Sequence, residues 1–128
     1  MIILSLRYFF IYFFSSNDRI SLEVIKVHDF HLCPKFEKAF QLLGKKWNGL
    51  IIKALLDGPK RFSDIRSVIP ELSDRMLTER FKELEAEDIV KRRVYAETPV
   101  RIEYELTEKG IDLSSSMDKI QSWAEKWL

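Results

Sequence analysis

Residues Glu71–Tyr95, ELSDRMLTERFKELEAEDIVKRRVY, decide the fold that this sequence predicts. Ser73 is placed to cap a helix, because its hydroxyl can accept a free N–H group of the first turn. The helix predicted from Ser73 to Glu87 is amphipathic and passes directly into a strand. That strand carries three consecutive cations, Lys91, Arg92 and Arg93. A capped helix followed by a basic strand is the feature from which the rest of the fold can be worked out.

The two faces of this helix follow from a rotation of about 100° per residue. Leu77, Phe81 and Leu84 fall on one side and are predicted to face the core. The outward face is predicted to carry Arg75, Glu79, Lys82 and Ala86, flanked by Met76 and Thr78. The outward side chains are polar and flexible, so this face is free to contact a partner.

A second, shorter helix is predicted just before the capped one. Ser63 is expected to cap it, Ile65, Val68 and Ile69 to form its apolar side, and Pro70 to close it. The turn Pro70-Glu71-Leu72 then leads to Ser73. Two helices joined by so tight a turn make a helix-turn-helix.

A β-hairpin is predicted after the capped helix, which we expect to end at Asp88 in a left-handed conformation. Residues 89–95 and 100–106 read as two antiparallel strands, and the second alternates apolar and polar side chains. We therefore predict a mainly α fold with a small β-hairpin, a winged helix-turn-helix. Such a unit places one helix in the major groove of DNA and a basic ribbon over the neighbouring backbone.

Two helices are predicted ahead of this unit. The first begins near Pro34, ends at Gly44 and repeats apolar residues at helical spacing: Phe36, Ala39, Phe40 and Leu43. The second stops at Asp57-Gly58-Pro59 and has the stripe Trp47, Leu50, Ile51, Ala54 and Leu55. Both stripes are expected to lie in the core. Lys60-Arg61-Phe62 is expected to be a short extended link.

A last helix, capped by Thr107, is predicted to run to the end of the chain. Its apolar stripe is Leu113, Met117, Ile120, Ala124 and Trp127, with Trp123 beside it. So much apolar surface on a terminal helix favours a dimer interface, formed by Met117, Ile120, Trp123, Ala124 and Trp127. The alternative is a helix folded back on its own domain.

Composition limits the possible functions. The chain has 128 residues, a formal net charge of +1 and one cysteine. It is long enough for one folded domain, and it cannot form an internal disulfide, which favours a reducing compartment. Ten basic and nine acidic residues lie between Lys60 and Arg101, so a positive surface must come from their arrangement. There is no glycine-rich phosphate loop, nucleophile-base pair or spaced carboxylate pair, so an enzyme is not expected.

The N-terminal stretch MIILSLRYFFIYFF is apolar but too short to span a bilayer, which takes about 20 residues. It lacks a signal-peptide pattern and has no polar face for lying on a membrane, so no membrane partner is expected. Residues 22–26 can be encoded by DNA containing GGAGGTGAT, a ribosome-binding sequence, and Val27 could be a GTG start codon. We therefore expect residues 1–26 to lie upstream of the natural start. A real N-terminal tail is the alternative.

Candidate DNA contacts follow from side-chain chemistry. Arg75 could bind guanine O6 and N7, and Thr78 a phosphate or a thymine methyl group. Lys82 suits a phosphate, whereas Glu79 could accept from cytosine or pair with a neighbouring cation. The full set of candidates is Ser73, Arg75, Met76, Thr78, Glu79, Lys82, Arg92 and Arg101. Each of these could instead be an ordinary solvated surface residue.

From Cys33 to about Leu113 the sequence resembles the HxlR-type winged helix-turn-helix regulators. Three segments carry the likeness: CPKFEKAFQLLGKKWNGLIIKALLDGPKRF, FSDIRSVIPELSDRMLTERFKELEAEDIV and VRIEYELTEKG. The resemblance implies a cytoplasmic bacterial regulator, a repressor, that binds a palindromic operator on double-stranded DNA as a homodimer. The expected division is an extension (1–32), a DNA-binding domain (33–113) and a dimerisation helix (114–128). A winged-helix protein–protein module without DNA binding is the alternative.

The resemblance also implies that Cys33 senses a small electrophile or oxidant. Its predicted position at a helix N-terminus favours the thiolate. Adduct formation, a mixed disulfide or a Cys33–Cys33 disulfide across a dimer would each be open to it. The alternative is a small residue packed under the dimer. His28, His31 and Cys33 have the spacing of metal ligands, but without a fourth ligand we expect neither a metal site nor a cofactor.

Overall fold

The computed structural model describes residues 32–128, so the expectations for residues 1–31, including His28, His31 and the upstream start, lie outside it. The described elements are α1 (Pro34–Leu43), α2 (Asn48–Leu55), α3 (Phe62–Val68), α4 (Asp74–Ala86), β1 (Val90–Tyr95), β2 (Arg101–Leu106), α5 (Glu108–Ile111) and α6 (Ser114–Trp127). This is the predicted mainly helical fold with one antiparallel hairpin.

The core is organised around the inner face of α4. Leu77, Phe81 and Leu84 are fully buried there, as predicted. Phe81 stacks on Tyr104 of β2 with ring centroids 3.7 Å apart. The other buried apolar residues are Ile51, Ile52, Leu55, Ile65, Ile69, Leu72, Ile89, Val90 and Leu106. The helix-turn-helix and the hairpin therefore share one core, which fixes the hairpin relative to α4.

Lys60, which precedes α3, pairs with β2 as a third extended segment beside the hairpin. Lys60 N–H donates to Tyr104 O (2.9 Å), and Tyr104 N–H donates to Lys60 O (2.8 Å). The predicted extended link is therefore correct for Lys60, but Phe62 already belongs to α3. This bridge ties the beginning of the helix-turn-helix to the middle of β2.

The predicted cap of α3 was wrong by two residues. Arg61, rather than Ser63, is the N-cap, and the Asp64 carboxylate accepts a hydrogen bond from the Arg61 backbone N–H (2.8 Å). Asp64 is the third residue of the helix, and its carboxylate reaches back to the N-cap backbone N–H as in a capping box. The two central helices of the motif are otherwise where the sequence placed them.

The two ends of α4 are held as the sequence predicts. Ser73 Oγ accepts from Met76 N–H (3.2 Å), and Asp88 adopts the left-handed conformation with φ 57°. Thr107 Oγ1 donates to the carbonyl oxygen of Asp88 (2.6 Å) and accepts from Gly110 N–H (3.2 Å). The hydroxyl of Thr107 thus joins the end of β2 to the turn that follows α4.

The C-terminal segment is two helices, whereas one was predicted. Thr107 caps only the short α5, and α6 starts at Ser114 after a break at Asp112 and Leu113. Gly110 is buried against Ile89 and Leu106, so α5 is fixed to the end of the hairpin. The apolar stripe begins only at Leu113, so its periodicity carried no information about a break at that point.

The terminal helices expose much of their apolar surface. The expectation that the α1 stripe is core was wrong for Phe36 and Phe40, which are 59% and 58% exposed, and for exposed Ala39; only Leu43 packs on the core. In the α2 stripe Leu50 is also exposed. On α6, Leu113 and Met117 pack on the core, but Ile120, Trp123 and Trp127 stay exposed. A terminal helix can be covered on one side only, and no other element in residues 32–128 covers the second side of α1 or α6.

No helix within residues 32–128 combines the length and the apolar character needed to cross a membrane.

Candidate nucleic-acid interface

The N-terminal part of α4 presents two hydroxyl groups, at the N-cap and in the second turn, that can still bind a partner. Ser73 Oγ is the acceptor for Met76 N–H, so its own proton is free to be donated to a phosphate oxygen. Thr78 Oγ1 donates to Asp74 O (2.8 Å), which leaves its lone pairs and methyl group outward. Both residues are exposed. They suit the positioning and apolar contacts that recognition helices make.

The charged candidates on α4 are also exposed. Arg75 Nε lies 3.5 Å from Glu79 Oε1, and the Arg75 side chain is 90% exposed. Such a long, solvated pair contributes little, and the guanidinium can exchange its partner for a base or phosphate. Lys82 is exposed and forms no ion pair with any residue in the range 32–128. The outward face of α4 therefore offers two cations and one carboxylate.

Met76 is the candidate that the structure places differently from its neighbours. Its side chain is half-buried against the core, and its sulfur accepts from Arg80 Nη2 (3.2 Å). Arg80 is itself only 8% exposed and donates through Nη1 to Glu83 (2.7 Å). Glu83 also accepts from Lys45 (2.6 Å), a bond that lowers the pKa of this carboxyl below its ordinary value of 4.5. Met76 thus belongs to a polar cluster behind the exposed face.

The hairpin separates its cations onto two faces. Side chains alternate along a strand, and directly opposed residues share a face. Arg92 is paired with Tyr104, so it lies on the face that packs against α4, at a point where it is exposed. Lys91 and Arg93 lie on the other face, opposite Glu105 and Glu103. Arg92 and Arg101 were predicted together, but they are on opposite faces of the hairpin.

The outer face of the hairpin is electrostatically compensated. Glu105 binds Lys91 Nζ (3.1 Å) and also Arg93 Nε. Burial alone would raise the pKa of Glu105, but the hydrogen bonds from Lys91 and Arg93 outweigh burial and hold it below its ordinary value. One carboxylate therefore stays ionised between two cations. This face offers less unbalanced charge than the sequence KRR suggests.

Arg101 has a similar environment. Its guanidinium donates to Glu97 (3.1 Å) and to Glu103 (2.6 Å), and it lies 3.9 Å from the centre of the Tyr95 ring. The hydrogen bond to Glu97, helped by that to Glu103, raises the pKa of Arg101. These contacts link both strands near the tip of the hairpin. Arg92, by contrast, has no carboxylate partner among residues 32–128.

Sequence reasoning did not include Arg61 and Arg66 among the candidates. Arg61 is an exposed cation at the N-cap of α3, and Arg66 pairs with Asp74 at the start of α4 (2.5 Å). The latter pair connects the two helices of the motif. The basic run that precedes α3 could have indicated Arg61, whereas the Arg66–Asp74 pair depends on how the two helices meet.

Cys33 lies apart from the helix-turn-helix. It is exposed and is the N-cap of α1, where its carbonyl oxygen accepts from Glu37 N–H (3.1 Å). Within residues 32–128 no three His, Cys, Asp or Glu side chains are grouped so as to hold a metal ion. Ile120, Trp123 and Trp127 form an exposed apolar surface on α6, together with half-buried Ala124.

A capped helix with an exposed polar face, set beside a hairpin on a shared core, defines the winged helix-turn-helix class. The model for the HxlR-like helix-turn-helix family matches residues 42–128. The HTH-type transcriptional regulator YodB of Bacillus subtilis (strain 168) is 55% identical over 96 residues, which are 75% of this chain and 86% of YodB. The chain belongs to the HxlR family, as its sequence resemblance implied.

Solved structures give the same result. The reduced form of YodB has a TM-score of 0.70 at 55% identity, covering 76% of this chain and 95% of that one. The quinone-bound form of YodB has a TM-score of 0.66 at 51% identity and covers 75% and 100%. The redox regulator HypR in its oxidised form has a TM-score of 0.69 at 39% identity and covers 73% and 96%. The chain is a DNA-binding transcriptional regulator and not an enzyme.

Proposed function

We propose that this chain is a homodimeric repressor that reads a palindromic operator through α4. The observation that carries the proposal is the exposed N-terminal half of α4, with Ser73, Arg75 and Thr78, beside a hairpin whose Arg92 has no carboxylate partner within residues 32–128. In this arrangement α4 enters the major groove, and Arg92 contacts a phosphate next to it. Arg101 holds the tip of the hairpin in shape.

Dimerisation is supported by the apolar side chains left exposed on α1 and α6. Phe36 and Phe40 lie with ring centroids 4.8 Å apart on α1, and Trp123 and Trp127 are 57% and 65% exposed on α6. Apolar surface of this kind marks an interface. A two-fold dimer presents two copies of α4, which requires two half-sites of inverted sequence. A protein that binds such an operator acts in the bacterial cytoplasm, where we place this chain.

Regulation through Cys33 is the third part of the proposal. The thiol is exposed, and it lies in the helix that carries part of the proposed dimer surface. YodB has a quinone-bound and a diamide-treated form, and HypR has an oxidised form. Modification of Cys33 would therefore act on the position of α1 in the dimer. An adduct, a mixed disulfide and a Cys33–Cys33 disulfide across the dimer remain the three possible products.

The test is fluorescence anisotropy of the full chain against DNA from upstream of its own gene, with random DNA as competitor. The titration is run at two salt concentrations, before and after treatment with a quinone or with diamide. Salt-sensitive, specific binding that weakens on treatment, and that survives treatment in Cys33→Ser, is expected. Specific binding that is indifferent to treatment would keep the regulator and remove Cys33 as its switch.

The absence of any preference over random DNA would contradict operator recognition and favour a protein–protein module. Repression itself needs a reporter gene placed behind the same DNA. Expression should rise when the chain is deleted, whereas a fall would make the protein an activator. Protection of two inverted half-sites in a footprint would support the palindrome, and a single protected half-site would contradict it.

A further inference from the structure

A cavity of about 410 Å³ opens between α1, the end of α4 and α5, away from the exposed face of α4. Its floor is aliphatic and includes Leu42, Leu43, Ile89 and Leu113. This volume is within the range of about 300–1,000 Å³ that small-molecule sites occupy in proteins. An apolar floor of this size can bury a ligand with an apolar body.

The polar groups of the cavity are unequal in charge. Three lysines line it, Lys35 and Lys38 from α1 and Lys109 from α5, against one acid, Glu87. Lys38 Nζ lies 3.9 Å from the Glu87 carboxylate, and Lys109 Nζ donates to the Glu87 carbonyl oxygen (2.6 Å). Two ammonium groups therefore converge on one residue, whose single carboxylate leaves the wall with an excess of positive charge.

The lysine side of the cavity is separate from the surface proposed for dimerisation, whereas Leu43 of the cavity floor lies beside Phe36 around α1. At about 100° per residue, Lys35, Lys38 and Leu42 lie on one side of α1, and Phe36 and Phe40 lie about two-fifths of a turn away. A second copy packed on the two phenylalanines would therefore leave the lysine side of α1 facing the cavity.

We infer that this cavity binds a small amphipathic monocarboxylate, held by its apolar body on the aliphatic floor and by its carboxylate between Lys38 and Lys109. Charge complementarity favours an anion over a neutral or cationic ligand. The floor suits an apolar body of about ten carbon atoms. Binding is reversible and does not involve Cys33, so the site goes beyond the proposed function and does not depend on DNA binding.

The probe is 2-naphthoate, titrated into the full chain by isothermal titration calorimetry. Naphthalene-2-carboxamide is the uncharged analogue that serves as its control. A dissociation constant of about 0.1–1 mM is expected for a ligand of this size. The amide should bind about tenfold more weakly, and Lys38→Gln and Lys109→Gln should each weaken naphthoate about threefold to tenfold. Lys119→Gln, an exposed lysine of α6 outside the cavity, is the matched control and should bind as the parent does.

Ala39 lines the same cavity, so Ala39→Phe should remove naphthoate binding by filling it. An unchanged melting temperature and unchanged operator affinity show that this variant is folded. No binding to the parent chain, equal affinity for acid and amide, or equal losses in Lys38→Gln and Lys119→Gln would each overturn the inference. So would binding seen only in a monomeric variant, because a second copy would then fill the cavity. Operator affinity, measured by anisotropy on the same variants, shows separately whether DNA binding has failed.

Discussion

Replacing Arg92 by glutamine gives the sharpest test of how the hairpin contacts DNA. Arg92 is exposed on the hairpin face that packs against α4, and no carboxylate in residues 32–128 binds it. The neighbouring Arg93 shares Glu105 with Lys91 on the opposite face. Arg92→Gln and Arg93→Gln therefore change the net charge equally and differ only in where the charge is lost. Arg93→Gln is the matched control.

The magnitude follows from counterion release. Each phosphate contact contributes about −0.9 to the slope of log affinity against log salt. A dimer with one Arg92 contact per half-site should lose about 2 from the magnitude of that slope in Arg92→Gln. For a fourfold rise in salt, each contact accounts for about a threefold to fourfold change in affinity, so the pair accounts for about tenfold. Arg93→Gln should keep a slope close to that of the parent.

The assay is anisotropy on operator and on random DNA across a salt series, with urea unfolding as a check on the fold. Arg92→Gln should weaken both DNAs by a similar factor, because a phosphate contact carries no sequence information. Equal slopes for the two variants would contradict a phosphate contact specific to Arg92, and a larger loss in Arg93→Gln would show that the outer face of the hairpin meets the DNA. The interpretation of the two faces would then be wrong.

Three further predictions concern stability and assembly. The pKa of Glu83 in the folded chain lies below its ordinary value of 4.5, so the unfolded chain binds the proton more readily. The stabilisation that ionised Glu83 provides is therefore present above pH 4.5 and is lost as pH falls through the folded pKa. Glu83→Gln should flatten the dependence of urea-unfolding stability on pH across this acidic range, and an unchanged pH profile would contradict that. Gly110→Ala should lower the free energy of unfolding by about 1–3 kcal/mol or more, because the added Cβ would overlap the carbonyl oxygen of Ile89. Gly49→Ala is the control within a helix, where the added Cβ meets only ordinary contacts, and it should be neutral or stabilising. Similar denaturant midpoints for the two variants would refute this prediction. Trp123→Glu should convert a dimer into a monomer in light scattering, and a persistent dimer would move the interface away from α6.

The helix-turn-helix could be predicted because its determinants are local. Ser73 caps the next turn, Leu77, Phe81 and Leu84 repeat at helical spacing, and Asp88 can adopt a left-handed conformation. Each of these signals involves residues a few positions apart. The structure confirmed them to within one or two residues.

The features that escaped prediction depend on distant residues. The bonds of Glu105 to Lys91 and Arg93 on the partner strand require the strand register, which the sequence alone left open. The helical periodicity of Phe36 and Phe40 showed that α1 has an apolar side, but not whether the same chain would cover it. Periodicity shows which residues share a face, and only the packing of the elements shows what that face meets.

The arrangement of charge explains how a chain with a net charge of +1 can bind a polyanion. On the hairpin, the carboxylates of Glu103 and Glu105 lie on the face opposite Arg92 and are occupied by cations there. Repulsion of phosphate by these acids is therefore partly cancelled before DNA approaches. The charge that matters for binding is that of the exposed, unpaired cations near α4, rather than the sum over the chain. We therefore expect the slope of log affinity against log salt to be set by those few cations and to be shallower than that of a strongly basic domain.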